Sequence, residues 1–415
     1  MKRTSLALFM GATIALVGCG SSDSSSGGAG GSAGSGGDGG APGTGGAGGG
    51  TIDPSFDELY DQGLTKYVDE FDPVDSVTKQ EEVTTYTFAV PEDPMAEPRG
   101  PLCLRGGEFT IDVRDGSSDE LVIYLQGGGG CWEDFCAATE ETNSLTVAGI
   151  LDPATEGNPI ADWDVVYLPY CDGSLFGGDV DRMLPNSVLG EGGPGGVSMG
   201  YQRGLQNLTA ALDVAFERFP DPTRVLLTGI SGGGFGTLFA LPLVRFYYPD
   251  TEILVFNDSG IGVGREGDAE FIEETLLEGW NATDTFVPAS CVDCTSNGHA
   301  TGVIEWQLEA DQEVTMSALT FSADETISAF FAMIPPEQFT ASLLAETQRI
   351  TTNYPDRYKR FIPAGGAHTF LLREFTDGEA GALDTAIGDV TVLDFFTGHI
   401  DGTEDWASRI DEGLE

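Results

Sequence analysis

Arg224-Val-Leu-Leu-Thr-Gly-Ile-Ser-Gly-Gly-Gly-Phe-Gly236 is the stretch from which the chain is best read. An apolar run of strand character enters Gly229-x-Ser231-x-Gly233, and Phe235 and Leu238 continue beyond it as a buried helix face would. This is the layout of a nucleophile elbow, a strained turn that lifts a serine between strand and helix. Glycines are needed there because side chains would block both the turn and an approaching carbonyl. In a chain with 59 glycines the string has little weight by itself, so the case for Ser231 depends on partners elsewhere.

One partner lies upstream. Leu121-Val-Ile-Tyr-Leu-Gln126 reads as a buried strand and runs into Gly127-Gly-Gly-Gly130. A glycine run at that point can offer backbone N–H groups to an oxyanion, with the amide after the nucleophile, Gly232, supplying the other donor. Gly127, Gly128 and Gly129 are the oxyanion candidates; the competing reading is a plain turn.

The general base must be one of three histidines, His299, His368 and His399. His368 follows an apolar strand candidate, Tyr358-Lys-Arg-Phe-Ile-Pro363, and sits in a glycine-rich turn. His299 and His399 read as ordinary surface residues. Two aspartates qualify as the acid between Ser231 and His368: Asp258 at the end of the next strand and Asp324 at the end of the one after. The chain order Ser, acid, His belongs to the α/β hydrolases, where the acid follows the later strand. Asp324 is therefore preferred, with Asp258 expected to brace the elbow. The fold expected is α/β, α/β-hydrolase-like, with a mostly parallel central sheet flanked by helices; the stripe Leu205, Leu208, Leu212, Ala215 predicts one helix packed on it.

These segments resemble a known family. Leu125-Gln-Gly-Gly-Gly-Gly-Cys-Trp132, Tyr170-Cys-Asp-Gly-Ser-Leu-Phe-Gly-Gly-Asp179, Gly229-Ile-Ser-Gly-Gly233, Asn257-Asp-Ser-Gly260, Ser322-Ala-Asp-Glu325 and Gly366-Ala-His-Thr-Phe370 are similar to successive blocks of the pectin acetylesterase and Notum family. The Tyr-Cys-Asp-Gly-Ser block is the most specific of them. The resemblance implies a triad of Ser231, Asp324 and His368 that hydrolyses carboxylic esters. Two departures mark a distant member: Gly232 stands where the family usually has alanine, and Ile230 where cysteine is common.

The start of the chain points outside the cytoplasm. Met1-Lys-Arg3 is basic, Ser5 to Val17 is apolar, and Leu16-Val-Gly-Cys19 resembles a bacterial lipobox. The apolar run is too short for a membrane span, so residues 1–18 read as a lipoprotein signal peptide and Cys19 as the lipidation site. Gly20 brings no inner-membrane retention signal, which favours the outer membrane or cell surface of the envelope. Residues 19–54, rich in Gly, Ser and Ala, are expected to tether a single catalytic domain, 55–415. Six cysteines remain after Cys19, an even number suited to disulfides in an exported protein, with fifteen possible pairings. Cys291 and Cys294 read as a short-loop disulfide rather than a metal pair, and a Cys131–Cys136 bridge would fix the glycine loop.

Signal cleavage would take the 19 basic residues to 17 against 67 acidic ones, a net charge of −50. Such a surface repels nucleic acid, anionic head groups and polygalacturonate. No metal or organic cofactor is expected. The partners expected are an ester substrate, either an acylated carbohydrate or a small acyl ester, and a membrane reached through the lipid anchor alone, with the chain a monomer. The leading function is a serine carboxylesterase acting through an acyl-enzyme; the alternative is a catalytically silent lipoprotein that binds acyl or glycan ligands.

Overall fold

The computed structural model describes residues 54–79, 82–94, 99–190, 195–295, 297–373 and 382–414. The expected signal peptide, Cys19 and nearly all of the linker lie outside the described residues. The chain divides into two units, Met1–Thr44 and Gly45–Glu415, and every described residue belongs to the second.

The strands are β1 (Pro73–Thr78), β2 (Val83–Phe88), β3 (Thr110–Arg114), β4 (Glu120–Leu125), β5 (Gly129–Trp132), β6 (Phe135–Ala138), β7 (Asp164–Leu168), β8 (Val180–Pro185), β9 (Val197–Gln202), β10 (Arg224–Ile230), β11 (Glu252–Asp258), β12 (Thr315–Leu319), β13 (Tyr358–Ile362), β14 (Ala386–Ile387), β15 (Val390–Thr391) and β16 (Arg409–Ile410). Among the described residues, ten form one sheet in the order β1-β2-β3-β7-β4-β10-β11-β12-β13-β16. From β7 to β16 neighbouring strands are parallel, while β1, β2 and β3 run antiparallel at one end. The expectation of a mostly parallel sheet holds.

The central strands are apolar along their length because both faces are covered. Side chains alternate between two cores. Leu121, Ile123 and Leu125 of β4, Val225 and Leu227 of β10, and Ile253 and Val255 of β11 face one. Val122, Tyr124, Leu226, Leu254 and Phe256 face the other. Each side chain so buried contributes about 1.5–3 kcal/mol of transfer free energy.

After the short helix α1 (Asp57–Asp61), the first core is covered by α2 (Gly204–Arg218) and α3 (Gly232–Tyr247), with Leu205, Leu208 and Leu212 of the expected stripe wholly buried. The second is covered by a later helix, Val392–Asp401, through Phe395, Phe396 and Ile400. That helix begins at a capping box between Thr391 and Asp394 and stops at Gly402, whose φ of 65° suits glycine. Two π-helical segments, Phe271–Glu278 and Ile327–Phe331, left no signal in the sequence reading.

The six cysteines pair as Cys103–Cys171, Cys131–Cys136 and Cys291–Cys294. No helix among the described residues is long and apolar enough to cross a membrane.

Candidate active site

Ser231 occupies the turn between β10 and α3 with φ 55° and ψ −120°, a conformation rarely adopted by residues with a side chain. The flanking glycines are required by close packing: a Cβ on Gly229 would lie 2.4 Å from Gly233 O, and one on Gly233 would lie 2.0 Å from Leu125 O. The turn is also held from the neighbouring strand, because Ser231 N–H donates to the Asp258 carbonyl at 2.8 Å.

The glycine run after β4 is packed tightly. A Cβ on Gly127 would lie 2.8 Å from Ser231 Cβ, and one on Gly128 would lie 2.3 Å from the Tyr170 ring. The run does not stay a loop to its end: Gly129 and Gly130 open β5, which pairs with β6 in a hairpin bridged by Cys131–Cys136. Across the turn, a Cβ on Gly232 would sit 3.2 Å from Gly129 O and 3.6 Å from Gly128 N, so the elbow residue and the glycine run lie close together.

The Tyr-Cys-Asp-Gly-Ser block supports this hairpin. Cys131 N–H donates to Gly173 O at 2.7 Å, and Gln202 Nε2 and Trp280 Nε1 both donate to Cys131 O. The buried Asp172 carboxylate accepts from the Ser174 amide and hydroxyl. Beyond it, Leu175 and Phe176 both take positive φ, 56° and 66°. That strained pair carries Leu175 to the pocket described below.

Asp324 and His368 meet on adjacent loops, with Asp324 Oδ2 2.7 Å from His368 Nδ1. Asp324 is fully buried, and its Oδ1 accepts from the Thr326 and Ile327 amides at 3.0 and 2.9 Å. This fixes the carboxylate while it starts the π-helical turn. His368 Nε2 is shielded from water and makes no hydrogen bond to the described residues. Imidazole–hydroxyl bonds of this kind often close only when substrate is bound.

Asp258 stands beside this pair. Its Oδ2 accepts from Phe370 N–H at 2.7 Å and Leu371 N–H at 2.9 Å, and Ser259 Oγ donates to Oδ1. It thereby holds the histidine loop through its side chain and the elbow through its carbonyl. Burial pushes its carboxyl up to about 6, against the lowering effect of the Leu371 and Phe370 amides.

The other two histidines are not surface residues. His299 is 4% exposed and His399 3% exposed. His299 Nδ1 accepts from Gly264 N–H, and burial lowers its affinity for a proton. His399 lies between the Thr315 and Ser317 hydroxyls, stacked on Trp406 at 4.5 Å, and burial pushes it down to about 3. Polar neighbours in the sequence misled here, because strand β12 alternates hydroxyls toward this core.

Ser231 and Gly232 open on an apolar pocket lined by Trp132, Phe135, Leu175, Phe235, Phe330 and Phe331. Its volume of about 50 Å³ accommodates about three to five water-sized atoms at roughly 10–15 Å³ each. Phe331 lies tilted against Phe235 at 4.6 Å and meets Phe271 edge-on at 5.7 Å, so the wall is an aromatic cluster from separate segments. Phe330 and Phe331 escaped the sequence reading because only the turn after Asp324 brings them here. Among the described residues no group of three or more His, Cys, Asp or Glu is placed to hold a metal ion.

A family model for pectinacetylesterase matches residues 90–275. That match contains the glycine run and Ser231, while Asp324 and His368 lie beyond it. Pectin acetylesterase 4 of Arabidopsis thaliana is 28% identical over 181 residues, 40% of this chain and 42% of that protein. Pectin acetylesterase 5 of the same plant is 26% identical over 182 residues, 40% of each chain. The chain thus spans about two fifths of the length of the curated relatives it matches. Among solved structures, the Wnt deacylase Notum from Drosophila superposes with a TM-score of 0.52 at 16% identity, covering 75% of this chain and 93% of that one. The superposition establishes the α/β-hydrolase-like fold.

Proposed function

The chain is a distant member of the pectin acetylesterase and Notum family, and from that premise we propose that it is a serine carboxylesterase exported from the cytoplasm. The observation that carries the reading is the 2.7 Å contact of Asp324 with His368 Nδ1, on a loop fastened to the same Asp258 that fastens the Ser231 elbow.

Ser231 Oγ attacks the ester carbonyl and passes its proton to His368 Nε2. Asp324 keeps the proton on Nδ1 and stabilises the imidazolium. The Gly232 and Gly128 amides receive the oxyanion, with Gly127 and Gly129 shaping that loop. His368 then protonates the departing alcohol, and water, deprotonated by the same imidazole, releases the acyl group from Ser231. The aromatic pocket takes the acyl chain, and its size favours acetyl and other short acyl groups.

Three disulfides support an oxidising compartment, consistent with lipidation at Cys19 and placement on the cell envelope.

A fluorophosphonate probe tests the mechanism. It should label the wild type at Ser231 and leave Ser231→Ala unlabelled, and the purified variant should fold but not turn over esters. Labelling elsewhere, or turnover by the variant, would remove Ser231 from its role. Absence of labelling and turnover in the wild type would instead favour a binding protein on this fold. An ester panel from acetyl upward should show kcat/KM falling with chain length.

A further inference from the structure

Gly232 differs from its neighbours in what limits it. Gly229 and Gly233 leave no room for a Cβ at all, whereas the nearest atoms to a Cβ at 232, outside its own helix, are Gly129 O at 3.2 Å, Leu175 Cδ2 at 3.4 Å and Gly128 N at 3.6 Å. A methyl group there would need Gly129 O to retreat by a few tenths of an ångström. The carbonyl has little freedom to do so. Gly129 already lies so close to β6 that a Cβ on it would fall 1.8 Å from Ala137 O, and Gly128 is backed by the Tyr170 ring. The hairpin behind them is locked by Cys131–Cys136 and by the Gln202 and Trp280 bonds to Cys131 O.

Resting on the esterase reading above, we infer that Gly232 is a positioning residue: its missing side chain sets the separation between the elbow amide and the Gly128–Gly129 backbone, and so the fit of the oxyanion. The alanine common at this position in the family would, in this chain, wedge the two donors apart. The effect would fall on the tetrahedral intermediate, because the ground-state carbonyl depends less on that fit. Leu175 is the softer contact, since its side chain can rotate away.

The test compares wild type with Gly232→Ala on a short acyl ester. Complete loss of an oxyanion donor costs roughly 10²–10³ in kcat; a misfit of a few tenths of an ångström should cost about 10-fold or more. KM should stay within about twofold. Affinity for a trifluoromethyl ketone, which mimics the tetrahedral intermediate, should fall by the same factor as kcat/KM. Adding Leu175→Ala should not restore kcat. Opening the hairpin with Cys131→Ser and Cys136→Ser should shrink the difference that Gly232→Ala makes.

Unchanged kcat and ketone affinity in Gly232→Ala would overturn the inference while leaving the esterase intact. So would rescue by Leu175→Ala, which would place the strain in the side chain. Loss of thermal stability with no change in ketone affinity would reduce Gly232 to a packing role and overturn it equally. A wild type that neither labels nor turns over would remove the esterase reading, and this inference with it.

Discussion

Strands β11 and β12 are neighbours, and the aspartate at or just beyond the end of each, Asp258 and Asp324, is fully buried. Their carboxylates serve different partners. Asp324 spends one oxygen on the backbone that follows it and turns the other to His368 Nδ1. Asp258 gives its carboxylate to two amides past the histidine and to Ser259, and it meets the imidazole only as a nearby charge. Burial therefore does not distinguish the two aspartates. The difference lies in whether an oxygen remains for a titratable side chain after the backbone is satisfied.

The largest effect expected from breaking this contrast is on Asp324→Asn. The amide can present the wrong hydrogen-bonding partner to Nδ1, and kcat should fall by about 10³–10⁴ with little change in KM. Steady-state kinetics on a short acyl ester check this, and a loss below tenfold would mean that Asp324 is not the orienting acid. Next comes Asp258→Ala, which leaves two buried N–H groups without an acceptor at about 1–3 kcal/mol each. Denaturant unfolding should show several kcal/mol lost, whereas the near-isosteric Asp258→Asn should be mild. If Asp258→Asn instead matched Asp324→Asn in kcat, the two roles would have to be exchanged.

A smaller effect follows from protonation. The carboxyl of Asp258 rises from 3.8 to about 6 on folding, so between those values the folded state holds a proton that the unfolded state has released. Its contribution to stability is present below the unfolded value and is lost as pH rises to about 6, a change on the order of 3 kcal/mol. Melting curves across that range should show wild type losing ground to Asp258→Asn as pH increases; a gain would contradict the assignment. The smallest effect concerns the chain's acidic net charge of −48, if its field extends to the mouth of the site. Cleavage of neutral acyl esters should be nearly independent of ionic strength, while acetylated polygalacturonate should be a poor substrate at low salt and improve as salt screens the repulsion. Faster cleavage of the polyanion at low salt would argue against that repulsion.

The sheet was legible because parallel strands buried on both faces leave continuous apolar runs, as in Leu226-Leu227 and Ile253-Leu254-Val255. The tight turn at Ser231 was legible because it demands glycine, and His368 stood out because the chain has few histidines. Choosing Asp324 over Asp258 took only a count of strands. The antiparallel strands β1 and β2 left weaker patterns, being partly exposed. Leu175, Phe330 and Phe331 could not be read as pocket walls, since two successive positive φ angles and a π-helical turn determine where they point, and neither has a sequence signature. His399 was misread for the converse reason: Thr315 and Ser317, which satisfy it in the core, are more than eighty residues away.

The two ends of the large sheet also bear on how copies of the molecule meet one another. At one end β1 opens with Pro73, slips register before Asp75 and has a mostly exposed face. At the other, β16 is only two residues long. A proline, a charge, a bulge and an abrupt stop are the devices by which sheets avoid growing sideways into a second molecule. Among the described residues, copies held close together would therefore find no long regular ladder to extend at either end of this sheet.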